Sequence, residues 1–430
     1  MSRRRRAKWQ RTKVSGWGLA NFLLTLQNMK TVVLITSSYP YGAVTERTFV
    51  EPEIEALAER FDRVVVMPMI RKGERTMSAL PANVEVSDLW LDHVDRGSKW
   101  WRLRHVPTAE FFRLTRGQLT DLTTVKYVLS AIEFADALPY FVKSLGLDLK
   151  QTVFYTFWFE YTTDALGLAR QRGMDVTYVS RCHNHDIYTP IAHVSRAQAI
   201  AQSQGLYDVS LAGAGYMRKT FPQQADKVKS VILGSIKAYP EDINPAKGSG
   251  DTLTFYSCSR VEPVKRVALN LEMLRHLAQT MPETKIEWIH AGGGSLLETL
   301  RKDASALPPN LTVSILSELS NRDAQRIFCD RHIDAFVLLS TLEGLPIAIC
   351  EALSYGVPVI ATDAGGTGEI VNDKVGKLLP VDLTTGDFCK AVSHVVDGGE
   401  EMRQTAINVW KEKYDGNATR RLFAEEISKL

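Results

Sequence analysis

Apolar residues in this chain come in short runs of strand length, set apart by stretches with helical spacing. Val32 to Thr36, Val176 to Ser180, Leu253 to Cys258, Ala335 to Leu339 and Val359 to Ala361 each read as one strand. After the first run, a loop with Gly42 leads into an amphipathic helix that places Ile54, Leu57, Ala58 and Phe61 on one side. Ile286 to Gly294 reads as a strand with a glycine turn. Val209 to Met217 reads as a strand, a turn and a helix start. Between Ile347 and Leu353 only Glu351 is polar, which predicts a helix buried nearly all round; Gly356 ends it and Pro358 opens the next strand. Strand, turn, helix, strand units of this kind predict an α/β protein with parallel sheets.

A chain of 430 residues is too long for one core, and two halves near 200 residues are comfortable domains. Tyr239 to Asp251 is a polar run with two prolines and two glycines, suited to a hinge. The expected division is a basic arm at 1–28, a first domain at 29–240, a linker at 241–251, a second domain at 252–405 and final helices at 406–430. The arm holds seven Lys and Arg and no acid; without it the net charge passes from +3 to −4. Three readings of it stand: contact with anionic lipid, nonspecific contact with nucleic acid, or an extension upstream of Met29. Lys99 to His105, KWWRLRH, reads as tryptophans packed under a surface loop, with a membrane interface as the rival. With 23% charged and 45% hydrophobic residues, composition names no function. Five scattered cysteines fit a reducing compartment, and no apolar stretch reaches 18 residues, so a cytoplasmic protein is expected, with peripheral contact at an anionic membrane as an option.

Candidate chemistry concentrates in two segments. In the first, STLEGLPIAICEALSYG, Glu343 stands at the carboxyl edge of a parallel sheet and Glu351 eight residues on, in the buried helix. An unpaired carboxylate there is too costly, so a ligand or a satisfying core partner is needed. The N–H groups of Gly344, Leu345 and Ile347 are placed to meet an anion. In the second, SCSRVEPVKR, Arg260 ends a strand and Lys265 falls in the first turn of a helix opened by Pro263. Cations there oppose the helix dipole unless an anion, such as a diphosphate, lies among them. A solvated surface pair is the plain alternative. Gly213 to Thr220, GAGYMRKT, lacks the glycine before Lys219 that a phosphate-cradling loop needs, and reads as structural.

These residues resemble the retaining glycosyltransferases of family 4, which have the GT-B fold: two Rossmann-like, doubly wound α/β domains facing a central cleft. The likeness rests on the Arg260 and Lys265 pair, the Glu343 to Glu351 spacing with Gly344-Leu345-Pro346, the Gly365-Gly366-Thr367-Gly368-Glu369 loop and the Ile286 to Gly294 segment. It implies that Arg260 and Lys265 hold the donor diphosphate, that Glu343 lies by the donor sugar and that Glu351 receives the ribose hydroxyls. Gly42, Gly344 and Leu345 join the donor-binding set. In the first half, RCHNHDIY resembles a segment of related exopolysaccharide transferases in which His183 matches a histidine near the transferred sugar; Asn184 stands where glycine is usual. Thr45-Glu46-Arg47-Thr48-Phe49-Val50 is one residue longer than the family pattern, so no role passes to Glu46. The family also implies that the final helix returns to the first domain.

His183, His185 and Asp186 have a rival reading as metal ligands, and an ordinary loop histidine is a third. No further ligand stands at a telling spacing and no Asp-x-Asp pair is present, so no metal is expected. The resulting expectation is a retaining, metal-independent glycosyltransferase with no cofactor. Its partners are a nucleotide-sugar donor and a glycan or lipid-linked glycan acceptor, with no specific nucleic acid, in bacterial surface polysaccharide synthesis. Alternatives are a catalytically silent subunit that keeps the donor cleft, and a same-fold sugar-nucleotide epimerase or phosphorylase.

Overall fold

The computed structural model describes residues 29–42, 44–75, 79–95, 106, 108–116, 118–188, 194, 196–247 and 252–430. The basic arm, the KWWRLRH segment and the last linker residues, 248–251, lie outside them.

The first sheet holds β1 Thr31–Thr36, β2 Arg63–Pro68, β3 Val84–Val86, β4 Thr152–Thr156, β5 Thr177–Cys182, β6 Gly205–Asp208 and β7 Val228–Ser230, in the order β3-β2-β1-β4-β5-β6-β7. Every pairing is parallel. Parallel sheets need both faces covered, and β1, TVVLIT, is buried at all six positions. The helices of this half are α1 Val44–Ala58, α2 Leu89–Asp95, α3 Ala109–Thr115, α4 Leu122–Leu145, α5 Tyr161–Gln171, α6 Asn184–Tyr188, α7 Ala197–Gln202 and α8 Leu211–Thr220. Helices α4 and α5 cover one face through Ile132, Phe134, Leu138, Leu166 and Leu168.

The second sheet holds β8 Thr252–Cys258, β9 Lys285–Ala291, β10 Leu311–Leu316, β11 Ala335–Leu338, β12 Val359–Thr362 and β13 Gly376–Leu379, in the order β10-β9-β8-β11-β12-β13, again all parallel. Its helices are α9 Val267–Thr280, α10 Leu297–Asp303, α11 Asn321–Asp330, α12 Ile347–Ser354, α13 Thr367–Ile370, α14 Thr385–Val409 and α15 Gly416–Ile427. Two doubly wound, Rossmann-like sheets make this a GT-B fold. In each sheet the strand order reverses once, between β1 and β4 and between β8 and β11, and a crevice opens at such a point beyond the carboxyl ends of the strands.

Three local readings need correction. The strand expected from Val209 ends earlier, at Asp208, because Ser210 accepts the Gly213 N–H and caps α8. Lys265 is not in an α-helix: Pro263–Lys265 is a single 3-10 turn, and Arg266, left-handed at φ 45°, separates it from α9. The strand expected over Val176 to Ser180 runs on as β5 through Cys182, and Asn184 opens the helical turn α6.

The expected boundary at 405/406 falls inside α14, which continues to Val409 through a kink at Gly399; the chain turns back only at Trp410–Tyr414. Helix α15 then packs Phe423, Ala424 and Ile427 among Val50, Ile54 and Leu57 of α1, covering the other face of the first sheet. Its Arg420 lies 3.7 Å from the buried Glu53 carboxylate, which also takes a 2.9 Å hydrogen bond from the fully buried Arg181. The two crossings between domains touch at Ser235 and Asp415, and Gly416 donates to the Ser235 carbonyl. Among the described residues no helix is long and apolar enough to cross a membrane.

Candidate functional site

The crevice between β8 and β11 gathers the residues singled out in the second half of the chain. Beyond β8 the chain makes the Pro263–Lys265 turn, whose Val264 carbonyl accepts the Thr341 N–H from the loop beyond β11. Arg266, which the sequence did not single out, pins the same junction by donating to the carbonyls of Leu339 and Val381, each at 2.7 Å. Only its unusual left-handed backbone distinguishes it from the other cations of the segment. Lys265 Nζ thereby reaches Glu343 Oε1 at 2.6 Å, and the carboxylate is buried. Arg260 lies two residues beyond β8 with its side chain exposed, on a cavity of about 370 Å³ that it shares with Cys258, Gly292, Gly293, Gly294 and Glu318.

Glu343 is held from above by the second glycine loop. Gly365 is left-handed at φ 57°, and a Cβ there would stand 1.8 Å from the Glu343 carbonyl oxygen, so only glycine fits. Gly366 donates to the Gly344 carbonyl at 2.9 Å. Leu345 is buried in the core below.

Glu351 points from α12 toward α11. Its carboxylate accepts from Asn321 Nδ2 at 2.6 Å and Gln325 Nε2 at 3.4 Å, so two carboxamides answer its burial and no arginine does. Burial pushes its pKa up to about 7, and the two amides pull the other way. Cys258, on the floor of the cavity, feels the same carboxylate.

Across the cleft, His183 sits just beyond β5, its backbone N–H held by Asp186 Oδ1 at 2.5 Å. The ring packs against Trp158, with centroids 4.4 Å apart, and against Phe157 at 5.1 Å. Both ring nitrogens are buried without a hydrogen-bond partner among the described residues, and Asp186 Oδ2 stands 3.9 Å from Nδ1. The side chain of His185, the second imidazole of the metal reading, lies outside the described residues. Among the described residues no three His, Cys, Asp or Glu side chains group as ligands for one ion.

Glu46, to which the sequence assigned no role, spans the crevice between β1 and β4. Its carboxylate accepts the N–H groups of Ser37, Ser38 and Tyr39 at 2.7–2.8 Å, the Ser38 hydroxyl, and Trp158 Nε1 at 2.9 Å. It therefore fixes both the loop leading to Gly42 and the tryptophan that stacks on His183. Gly42 itself, at φ 66°, lets the Lys72 carbonyl approach, since a Cβ would meet that oxygen at 1.8 Å.

The two halves meet beside these groups. Glu369, at the end of the second glycine loop, accepts the N–H groups of Leu211 and Ala212 at 2.8 and 2.6 Å, which puts a carboxylate on the positive end of α8. A Cβ on Gly366 would lie 3.2 Å from Ser210 Cβ, so the loop above Glu343 touches the first domain. Asp208, which accepts from Ser210 and from the Cys182 thiol, joins that contact to the strand end carrying His183.

An exposed arginine beyond β8, a lysine-bearing turn, two buried carboxylates and two glycine loops at the carboxyl ends of the second sheet form the candidate site. Residues 240–411 match the family described as glycosyl transferases group 1. This part of the chain is a group 1 glycosyl transferase domain. It contains Arg260, Lys265, Glu343, Glu351 and both glycine loops. Among curated proteins, the chain is 30% identical over 137 residues to the O-antigen biosynthesis glycosyltransferase WbnH of Escherichia coli, 32% of this chain and 36% of that protein. It is 34% identical over 113 residues to the sulfoquinovosyl transferase SQD2 of Arabidopsis thaliana, 26% of this chain and 20% of that protein. The match thus spans about a third or less of these relatives. Among solved structures, the lipopolysaccharide outer core galactosyltransferase WaaB covers 93% of this chain and 100% of its own, with a TM-score of 0.64 and 15% identity. HepE of Anabaena, solved with UDP and glucose, covers 94% and 100%, with a TM-score of 0.56 and 18% identity. These likenesses extend the GT-B fold from the group 1 domain to the whole chain.

Proposed function

We propose that the chain is a retaining glycosyltransferase that moves a sugar from a nucleotide-sugar donor to a hydroxyl of a glycan or lipid-linked glycan, in bacterial surface polysaccharide synthesis. The observation that carries this reading is the Lys265–Glu343 pair at the crevice between β8 and β11, with Arg260 exposed just beyond β8 and His183 just beyond β5 in the other domain. A cation already bonded to a buried carboxylate is shared readily with a diphosphate that enters beside it, and charge-assisted hydrogen bonds of this kind are worth about 1.5–3 kcal/mol each.

In this reading Arg260 and Lys265 stabilise the negative charge that grows on the departing diphosphate, the part a divalent cation plays elsewhere, so the reaction runs without metal. Glu343 orients the sugar and faces the positive charge developing at its anomeric carbon. His183, with two uncommitted ring nitrogens, positions a sugar hydroxyl from the other domain. Glu351 accepts the ribose hydroxyls. The acceptor hydroxyl attacks from the leaving-group face and its proton passes to the diphosphate, so no carboxylate pair of glycosidase type is needed. The curated relatives named for O-antigen synthesis support a polysaccharide setting.

The test is nucleotide release from a panel of UDP-, GDP- and dTDP-sugars, with Arg260→Ala and Glu343→Ala beside the parent protein. Release from one donor, lowered about a hundredfold by either substitution and insensitive to a chelator, is the expected result. Saturable nucleotide binding without release would favour a silent donor-binding subunit, and activity lost to a chelator and restored by manganese would overturn the metal-independent reading.

A further inference from the structure

The first domain contains a second site that the donor chemistry does not use. Two cavities, of about 270 and 380 Å³, adjoin through Arg116 and Val194. The inner one runs between α3, α4 and α5, where Arg113 and Gln171 line it; the outer one is walled by Phe159, Asp186 and Arg196. That wall is the back of the His183 segment. Asp186 holds the N–H groups of His183 and Phe159 through its carboxylate, while Arg196 Nη1 donates to the carbonyls of Phe159 and Asp186. The groove therefore abuts, across this wall, the segment that carries His183.

Its charge is unbalanced. Neither Arg113 nor Arg116 is ion-paired among the described residues; Arg113 has only a long contact with Gln171, at 3.5 Å. Arg196 is buried, and its Nε has no partner among the described residues. The acid in the inner cavity, Asp164, is bonded to the Tyr127 hydroxyl at 2.6 Å and faces the positive charge of Arg196. Arg116 also ends α3 with a left-handed backbone at φ 52°. Close by in the chain three apolar side chains are exposed: Phe112 at 45%, Leu119 at 44% and Leu122 at 68%.

We propose that this groove is the acceptor's subsite and that Arg113 and Arg116 bind a phosphate group carried by the acceptor, with any apolar chain on that phosphate resting against Phe112, Leu119 and Leu122. The proposal rests on the glycosyltransferase reading, which makes an acceptor necessary, but its test does not use turnover. Binding of octyl phosphate, inorganic phosphate and neutral octyl glucoside is measured by calorimetry on the full chain, with Arg113→Ala/Arg116→Ala and Arg113→Lys/Arg116→Lys. Saturable binding of octyl phosphate, weakened at least tenfold by the alanine pair and partly restored by the lysine pair, is expected. The same double variants keep donor hydrolysis, because neither arginine touches the donor crevice. Octyl phosphate binding well above that of inorganic phosphate identifies a lipid-linked phosphate; equal binding identifies a water-soluble phosphorylated glycan. Absence of saturable binding by either phosphate, equal affinity in the alanine pair, equal binding of octyl glucoside, or displacement of octyl phosphate by a nucleotide would each overturn the proposal. Loss of donor hydrolysis by the parent protein would instead strike the donor reading alone.

Discussion

A carboxyl group shut away from water keeps its proton to higher pH, and Glu351 is such a group. Its folded pKa of about 7 lies above the value near 4.3 of an exposed glutamate, so between these values the folded chain binds more protons than the unfolded one. The associated stability is complete below about pH 4 and is lost as the pH rises through 7, by at most about 4 kcal/mol. Glu351→Gln removes this titration. Urea unfolding from pH 5 to 8 should show the parent losing stability relative to the variant as pH rises, and parallel curves would refute the burial account. If Glu351 accepts ribose hydroxyls, nucleotide affinity should move the opposite way, strengthening as the carboxylate ionises. One local choice, two amides in place of an arginine, thus leaves this residue close to neutral pH.

Among elements, the glycine loop above Glu343 is the most constrained. Gly365→Ala places a methyl group against the Glu343 carbonyl at a left-handed φ, so the loop must move and carry Glu343 with it. Donor release should fall at least tenfold while the free energy of unfolding drops by about 1–3 kcal/mol. Gly399→Ala is the control: its φ of 49° is equally unfavourable, yet nothing lies within 4 Å of the added carbon, so it should cost stability of similar size and spare release. Equal effects on release would show that the loop does not position Glu343. The same loop illustrates what the sequence makes legible. The strand runs, the buried helix α12 and the spacing of Glu343 and Glu351 are local patterns, and they stand where periodicity and turn residues place them. The turn at Lys265 is different: Pro263 marks its start, but the left-handed Arg266 depends on carbonyls of Leu339 and Val381, more than seventy residues away. Glu46 escaped in part for the same reason: four of its five donors lie nearby in the Ser37–Tyr39 loop, but the fifth, Trp158, reaches it only once β1 and β4 are side by side.

At the scale of the whole molecule the two halves are clasped at the cleft by Glu369 on α8 and joined behind it by α15. Removing the Glu369 carboxylate costs two charge-assisted hydrogen bonds and a favourable contact with a helix dipole, while leaving both sheets intact. Glu369→Ala should therefore widen the molecule in small-angle X-ray scattering and lower kcat for sugar transfer, with nucleotide affinity nearly unchanged; an unaltered scattering profile would show that the clasp does not hold the cleft. The seam formed by α15 has another consequence. Phe423, Ala424 and Ile427 belong to the core of the first sheet, and Arg420 reaches the buried Glu53–Arg181 pair, yet they are translated after the whole second sheet. While a ribosome is still making the group 1 domain, the finished first sheet waits with one apolar flank bare and its Glu53–Arg181 pair uncovered. Synthesis of residues 406–430 is then also the step that seals the first domain, and a chain stalled near residue 400 exposes that flank to chaperones and proteases however complete its donor crevice is.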